Sequence, residues 1–451
     1  MLDLLSLPLL ALTTLICLWV FFRHASGVDL LRFPFLVSGV YLAYIFPKLF
    51  GLLSSDANLA EVYRQSGAAN TLVVSAALCY FGGLAGYYMA RPRTAFAPRP
   101  LEVSRAQYSR VLIIAMVFLA VAYAGITGLA LTAGGFTQFF FQMESYSLDW
   151  RGAEVYYIFI ARLIYIPIFL LLMLHKARPG RLTLLLIVIA LIYPTLNVLV
   201  LFRRSEVLQT GSIIAFVAIL YYRFRPRRVT VMAAVCAMVA VVALFPEIRG
   251  SQYRGQDLQQ GFIEERLDRF VRFEPNNEIA MAAFLVQRAK ETGNFEHGAI
   301  FWNALVSQFV PAGLVGRDVK SALYINQTVG EFNVSGWSRA QHFYLAPIGF
   351  SQAFEQFGYF GFLLFSALGA LMGALERWRR HSFPGEMMYV LMLAPIVLAV
   401  SNDLQLPIVK FATYAVVFAM IWGAGQMRVL SSIAWHPARR RAYGPPMPAQ
   451  G

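Results

Sequence analysis

Arg203-Arg204-Ser205-Glu206 places two adjacent arginines and a glutamate in a short turn between two apolar blocks. A guanidinium is a planar fork of donors that meets phosphate oxygens two at a time. Such a turn suits the clamping of a phosphate-bearing or otherwise anionic ligand. The same charges could instead end two helices, pair with Glu206 and reach for lipid headgroups. Arg249, Tyr253 and Arg254 follow a later apolar block and pose the same choice between anion binding and interfacial anchoring. Arg162 lies inside an apolar block, where an ionisable group is a functional candidate by default. It could also pair with Glu144 or Asp149 in the preceding connection, and Lys410 and Asp403 raise the same question near the last block. Arg317 and Lys320 follow Pro311, Gly313 and Gly316, where phosphate contact and plain solvation are both open. His342, in Arg339-Ala-Gln-His342-Phe-Tyr-Leu345, is the first candidate for a general base, with Glu206 the second. His297 sits in a polar turn. No acidic or histidine pair has metal-ligand spacing, so neither a metal nor a cofactor is expected.

The elements that position these residues are apolar. Of the 451 residues 58% are hydrophobic and 14% charged, against about 25% charged in an ordinary globular domain. The apolar residues fall in blocks of about 17 to 23, the length that crosses a hydrocarbon core of about 30 Å. Candidate spans are 5–22, 33–53, 71–90, 111–131, 155–175, 182–202, 207–223, 229–246, 359–378, 387–402 and 408–427, about eleven in all, with ten or twelve as neighbouring counts. The chain therefore divides into spans one to eight (1–246), a large loop (247–358), spans nine to eleven (359–427) and a basic tail (428–451). Arg23, Arg32, Arg91, Arg178, Arg181, Arg223, Arg377, Arg379 and Arg380 all fall in connections on one side, which the charge rule makes cytoplasmic. The N-terminus is then outside and the C-terminus inside. This sidedness, and no basic stripe on a soluble module, accounts for the net charge of +14, so nucleic acid is not an expected partner. Cys17, Cys79 and Cys236 lie within apolar blocks as small buried hydrophobes.

The outside loop carries helical periodicity. Phe262, Ile263, Leu267, Phe270 and Val271 recur at steps of three and four, which reads as an amphipathic helix on the membrane surface. Pro275 ends it, Asn276 or Asn277 caps the next helix with Glu278 in its first turn, and Gly293 closes that helix. Ala299 to Val310 is apolar but too short to cross and reads as an interfacial or re-entrant helix. Trp302, Tyr324, Trp337 and Tyr344 are interfacial or sugar-stacking candidates.

The arrangement resembles the bacterial polysaccharide polymerases, the Wzy-type repeat-unit polymerases, and more distantly the O-antigen ligases. Three segments carry the resemblance. Arg203-Arg204-Ser205-Glu206 looks like the family's short arginine-bearing turn. Phe309-Val310-Pro311 through Arg317-Asp318-Val319-Lys320 is similar to a Pro-led basic segment. His342-Phe-Tyr-Leu345 leading to Phe357-Gly358-Tyr-Phe-Gly361 is similar to the ligase pattern, with additional residues between His342 and Gly358. The resemblance implies an all-α polytopic membrane protein of the GT-C-type glycosyltransferase kind, with the large helical loop periplasmic in a bacterial inner membrane. It implies joining of undecaprenyl-pyrophosphate-linked oligosaccharide repeat units, with a chain-length regulator and a flippase as partner proteins beside membrane lipids. The diphosphate would be held by Arg203, Arg204, Arg249 and Arg254, with Arg162, Arg317, Lys320 and Arg339 as further contacts. An O-antigen ligase-type transferase and a lipid-linked glycan transporter or flippase are the alternatives.

Overall fold

The computed structural model describes residues 3–92 except 26, 103–136, 153–227 except 201–203, 272–325 except 275, 276 and 311, and 347–423. Positions 139, 229–231, 233, 333–334, 337–338 and 430 are also described. Helix α1 (Asp3–His24) leads to α2 (Phe33–Val40), a π turn at Tyr41–Ile45 and α3 (Phe46–Ser54). Short α4 (Asn58–Gln65) precedes α5 (Ala68–Ala90), α6 (Arg105–Thr132), α7 (Ala153–Ala161), α8 (Tyr165–Ala177), α9 (Arg181–Leu199) and α10 (Arg204–Leu220). The loop region contributes α11 (Glu278–Thr292), α12 (Ala299–Phe309), α13 (Ala312–Val315), α14 (Arg317–Ala322) and a strand pair, Asn333–Val334 with Trp337–Ser338. The chain then forms α15 (Gly349–Phe357), α16 (Phe362–Trp378), α17 (Phe383–Leu398) and α18 (Gln405–Gly423).

Among the described residues, eight helical segments are long and apolar enough to cross a membrane, and Ser205–Leu220 and Phe383–Leu398 are shorter apolar helices. All ten fall on expected spans, so the described chain is an all-α polytopic membrane protein. The expected span 229–246, apart from 229–231 and 233, and the amphipathic helix at 262–271 lie outside the described residues. The ninth span starts earlier than the apolar block suggested. Gly349 to Trp378 is one helical run, interrupted by a 3-10 turn at Gly358–Gly361, and α15 is buried from Gly349 to Gln356.

Local sequence sets the ends. Ser104 and Gln107 form a capping box on α6, and Ser382 caps α17 with Pro384 in its first turn. As expected, Asn277 accepts from the Ala280 N–H at 2.9 Å, and Gly293 closes α11 in the left-handed conformation with φ +62°. Small residues let α5 and α16 approach closely. A Cβ at Gly86 would lie 1.9 Å from the Ser366 carbonyl oxygen, and one at Gly369 would lie 2.0 Å from that of Gly83. α17 is buried along its whole length and forms the centre of the bundle.

The described connections gather at two ends of the bundle. On one face Arg32 Nε lies 3.9 Å from Glu376, Arg377 donates to the Ala90 carbonyl, Arg178 stacks over Tyr108 at 5.8 Å and Lys176 over Tyr222 at 4.7 Å. The opposite face carries α11 and α12. There Lys48 of α3 meets Glu278 at 2.6 Å, and Phe309 of α12 packs edge-on against Phe159 of α7 at 5.9 Å.

Candidate functional site

Arg162 stands where the fifth span changes pitch. Residues Arg162–Ile164 form a 3-10 turn between α7 and α8. Pro167 explains the change: it has no N–H to give the Leu163 carbonyl, and its ring crowds that carbonyl, so the preceding turn tightens. Glu206 lies in the first turn of α10, where the helix dipole favours an acid. The Tyr165 hydroxyl donates to the Glu206 carboxylate. Lys410 of α18 is 6% exposed, with Nζ 4.9 Å from the Tyr165 ring centroid and 6.0 Å from that of Tyr414. Arg162 stands one turn before Tyr165 on the same span. Three spans thus bring two cations and a carboxylate together at the end of the bundle that bears α12, which packs on α7 and α18. Such a group, two cations to one carboxylate, can hold an anion.

Other charge clusters have a different composition. On the arginine-rich face Glu376 receives the Tyr87 hydroxyl and lies 3.4 Å from Arg380, while Arg32 also pairs with Asp29 at 3.1 Å. Glu386 accepts from Tyr221 at 2.9 Å and sits 3.9 Å from Arg379. These groups tie helix ends together. Under the loop, Arg288 bridges Glu296 at 2.9 Å and Glu355 at 2.8 Å, which locks α11 to α15. Here acids outnumber the cation, which is the wrong sign for a phosphate. Beside Lys290, whose ammonium pKa is pushed down by burial, the backbone carbonyl of Ser66 accepts at 3.1 Å.

Arg162 and Glu206 are thus brought together with Lys410. Arg204 begins α10. Arg317 and Lys320 lie elsewhere, on α14: Arg317 is exposed, and Lys320 donates to the Ser307 carbonyl at 3.1 Å. Arg203, Arg249, Arg254, Arg339 and His342 lie outside the described residues. Tyr165 and Tyr414 went unnoticed in the sequence, since aromatics in apolar spans are ordinary core. Among the described residues no group of three His, Cys, Asp or Glu side chains could hold a metal.

An apolar cavity of about 390 Å³ is lined by one face of α10. Val207, Gly211, Ser212 and Ala215 of α10 line it, with Tyr44 and Val397 opposite. These α10 positions lie on the side of the helix away from Glu206, and none of Arg162, Tyr165, Glu206, Lys410 and Tyr414 lines the cavity. No protein-family model matches the chain, and neither a curated protein nor a solved structure does so.

Proposed function

We propose that the chain is a glycosyltransferase that polymerises lipid-linked oligosaccharide repeat units at the periplasmic face of a bacterial inner membrane. The observation that carries this reading is the gathering of Glu206 and Lys410 around Tyr165, one turn from Arg162, in a bundle whose α10 also lines an apolar cavity. A polyprenyl diphosphate needs both features at once, cations for its headgroup and an apolar channel for its tail. The acceptor hydroxyl oxygen forms a bond to the anomeric carbon of the donor sugar. The bond from that carbon to the diphosphate oxygen breaks, and the hydroxyl proton passes to a base, for which His342 and Glu206 are the candidates. Charge develops on the leaving diphosphate, and fixed cations stabilise it without reorganising, each such group contributing about 3 to 4 kcal/mol. Arg203 and Arg204 adjoin Glu206 in sequence and, with Arg249, Arg254 and Arg339 of the loop, are the further candidate contacts for the diphosphate. In this reading no metal is needed.

Alanine replacement of Arg162, Arg203, Arg254 and His342 in turn tests the reading, with surface-polysaccharide chain length on a gel as the readout. Loss of long chains with the single-repeat product retained supports a polymerase. Loss of every attached form supports the ligase or flippase alternative. Full-length chains from all four variants overturn the assignment. Purified protein incubated with a lipid-linked repeat unit tests the chemistry directly.

A further inference from the structure

Asn197 is fully buried near the end of α9, and among the described residues neither its Oδ1 nor its Nδ2 has a hydrogen-bond partner. An amide in an apolar bundle rarely stays so, because desolvation without replacement bonds is costly. Its depth follows from helix register. His175 Nδ1 meets Thr183 Oγ1 at 3.1 Å, which fixes α8 against antiparallel α9. Ten residues further along each helix, Tyr165 comes opposite Tyr193. Four more residues bring Asn197 level with Ala161, next to Arg162. Asn197 belongs to the buried stripe of α9 with Ile187, Ala190 and Pro194, and α9 packs on α8 and α10. α9 ends at Leu199 and α10 begins at Arg204, so Glu206 lies near the same end of the bundle.

Two more polar groups at this end of the bundle share the condition. The Thr210 hydroxyl, one turn along α10 from Glu206, and the hydroxyl of Tyr414, beside Lys410, are buried with no partner among the described residues. A phosphate would satisfy the donors here and leave the Asn197 carbonyl oxygen unmatched. A sugar hydroxyl both donates and accepts, so it matches an amide whose two halves are both unbonded.

We infer that Asn197, with Thr210 and Tyr414, forms a sugar-hydroxyl subsite next to the Arg162–Glu206–Lys410 group, so that the site grips the glycan as well as its diphosphate. This rests on the function proposed above.

The test uses the full chain in detergent or nanodiscs and compares thermal shifts with undecaprenyl pyrophosphate and with the lipid-linked repeat unit. The wild type is expected to gain a larger shift from the glycan-bearing lipid. Asn197→Leu, similar in size but without the amide, is expected to melt at the same or a higher temperature unliganded and to respond equally to both lipids, with polymer formation down at least tenfold. Thr210→Val and Tyr414→Phe are expected to shrink the difference in the same direction. If wild type responds equally to both lipids, or Asn197→Leu keeps the full glycan-dependent shift, the subsite is overturned while the polymerase reading stands. If neither lipid shifts the wild type, both fail.

Discussion

Replacing Lys410 with methionine separates a ligand-binding cation from a structural one. The side chain is 6% exposed and lies over two rings, at 4.9 Å from Tyr165 and 6.0 Å from Tyr414. Methionine fills nearly the same volume and keeps favourable contact with those rings. The folded state loses a cation–π attraction of about 0.5 to 2 kcal/mol. In exchange it no longer buries an ammonium, a desolvation that on its own costs several kcal/mol. Glu206 retains the Tyr165 hydroxyl. The unfolding free energy of Lys410→Met should therefore stay within about 2 kcal/mol of wild type, by that balance. Catalysis is affected differently. A preorganised charge aimed at a developing anion is worth about 2.7 to 4 kcal/mol, or roughly 10² to 10³ in rate. Polymer formation by purified protein from a lipid-linked repeat unit should fall by that factor while the melting temperature hardly moves. Lys410→Arg, which keeps the charge but changes the donor geometry, should recover part of the activity. A Lys410→Met protein that polymerises at the wild-type rate would refute the reasoning, because the cation would then serve packing alone.

Gly211 of α10 lines the apolar cavity, and a Cβ there meets nothing within 4 Å. Gly211→Trp should fold normally and block lipid-linked substrate, read as lost polymerisation with an unchanged thermal transition. Arg288→Met leaves Glu296 and Glu355 buried and facing each other. It should destabilise by about 3 to 5 kcal/mol, as removal of one partner of a buried ion pair does, measured by thermal unfolding in detergent. Gly86→Val drives a side chain into the Ser366 carbonyl oxygen across the α5–α16 contact, so folded protein should disappear from the membrane fraction. Asp403, between α17 and α18, has its carboxyl pKa raised by burial, while its Oδ1 accepts from the Gln405 N–H at 2.8 Å. With the folded value above the unfolded one, the associated stability is present below the unfolded pKa and is lost as pH rises through the folded value. Asp403→Asn keeps an acceptor and should flatten that decline in melting temperature on raising the pH above the ordinary carboxylate range.

Which parts of this arrangement could be read in advance follows from the range of the forces involved. A span needs about twenty apolar residues in a row, so each span announces itself locally, as do the Asn277 cap and the Gly293 stop. α11 was legible as a helix but not as a buried one: Ile279 to Ala289 are all enclosed, because their partners come from α3, α4, α5 and α15, which no window of sequence contains. The start of the ninth span at Gly349 was missed for a related reason. Ser351, Gln352, Glu355 and Gln356 lower the local hydropathy, yet each is buried because the fold supplies bonds, such as Gln352 accepting from the Leu404 N–H at 2.7 Å. The site shows both cases at once. Arg162, Glu206 and Lys410 were visible as charges that apolar surroundings do not tolerate without cause. Their convergence was not, since the contacts join residues 41 positions apart or more and depend on how α8, α10 and α18 pack. Tyr165 and Asn197 were hidden because one tyrosine or amide in a span is commonplace. It becomes informative only when its depth and its missing partners are known. A charge in a span can therefore be found by composition, whereas the neutral groups that choose what the charge binds emerge only from helix register.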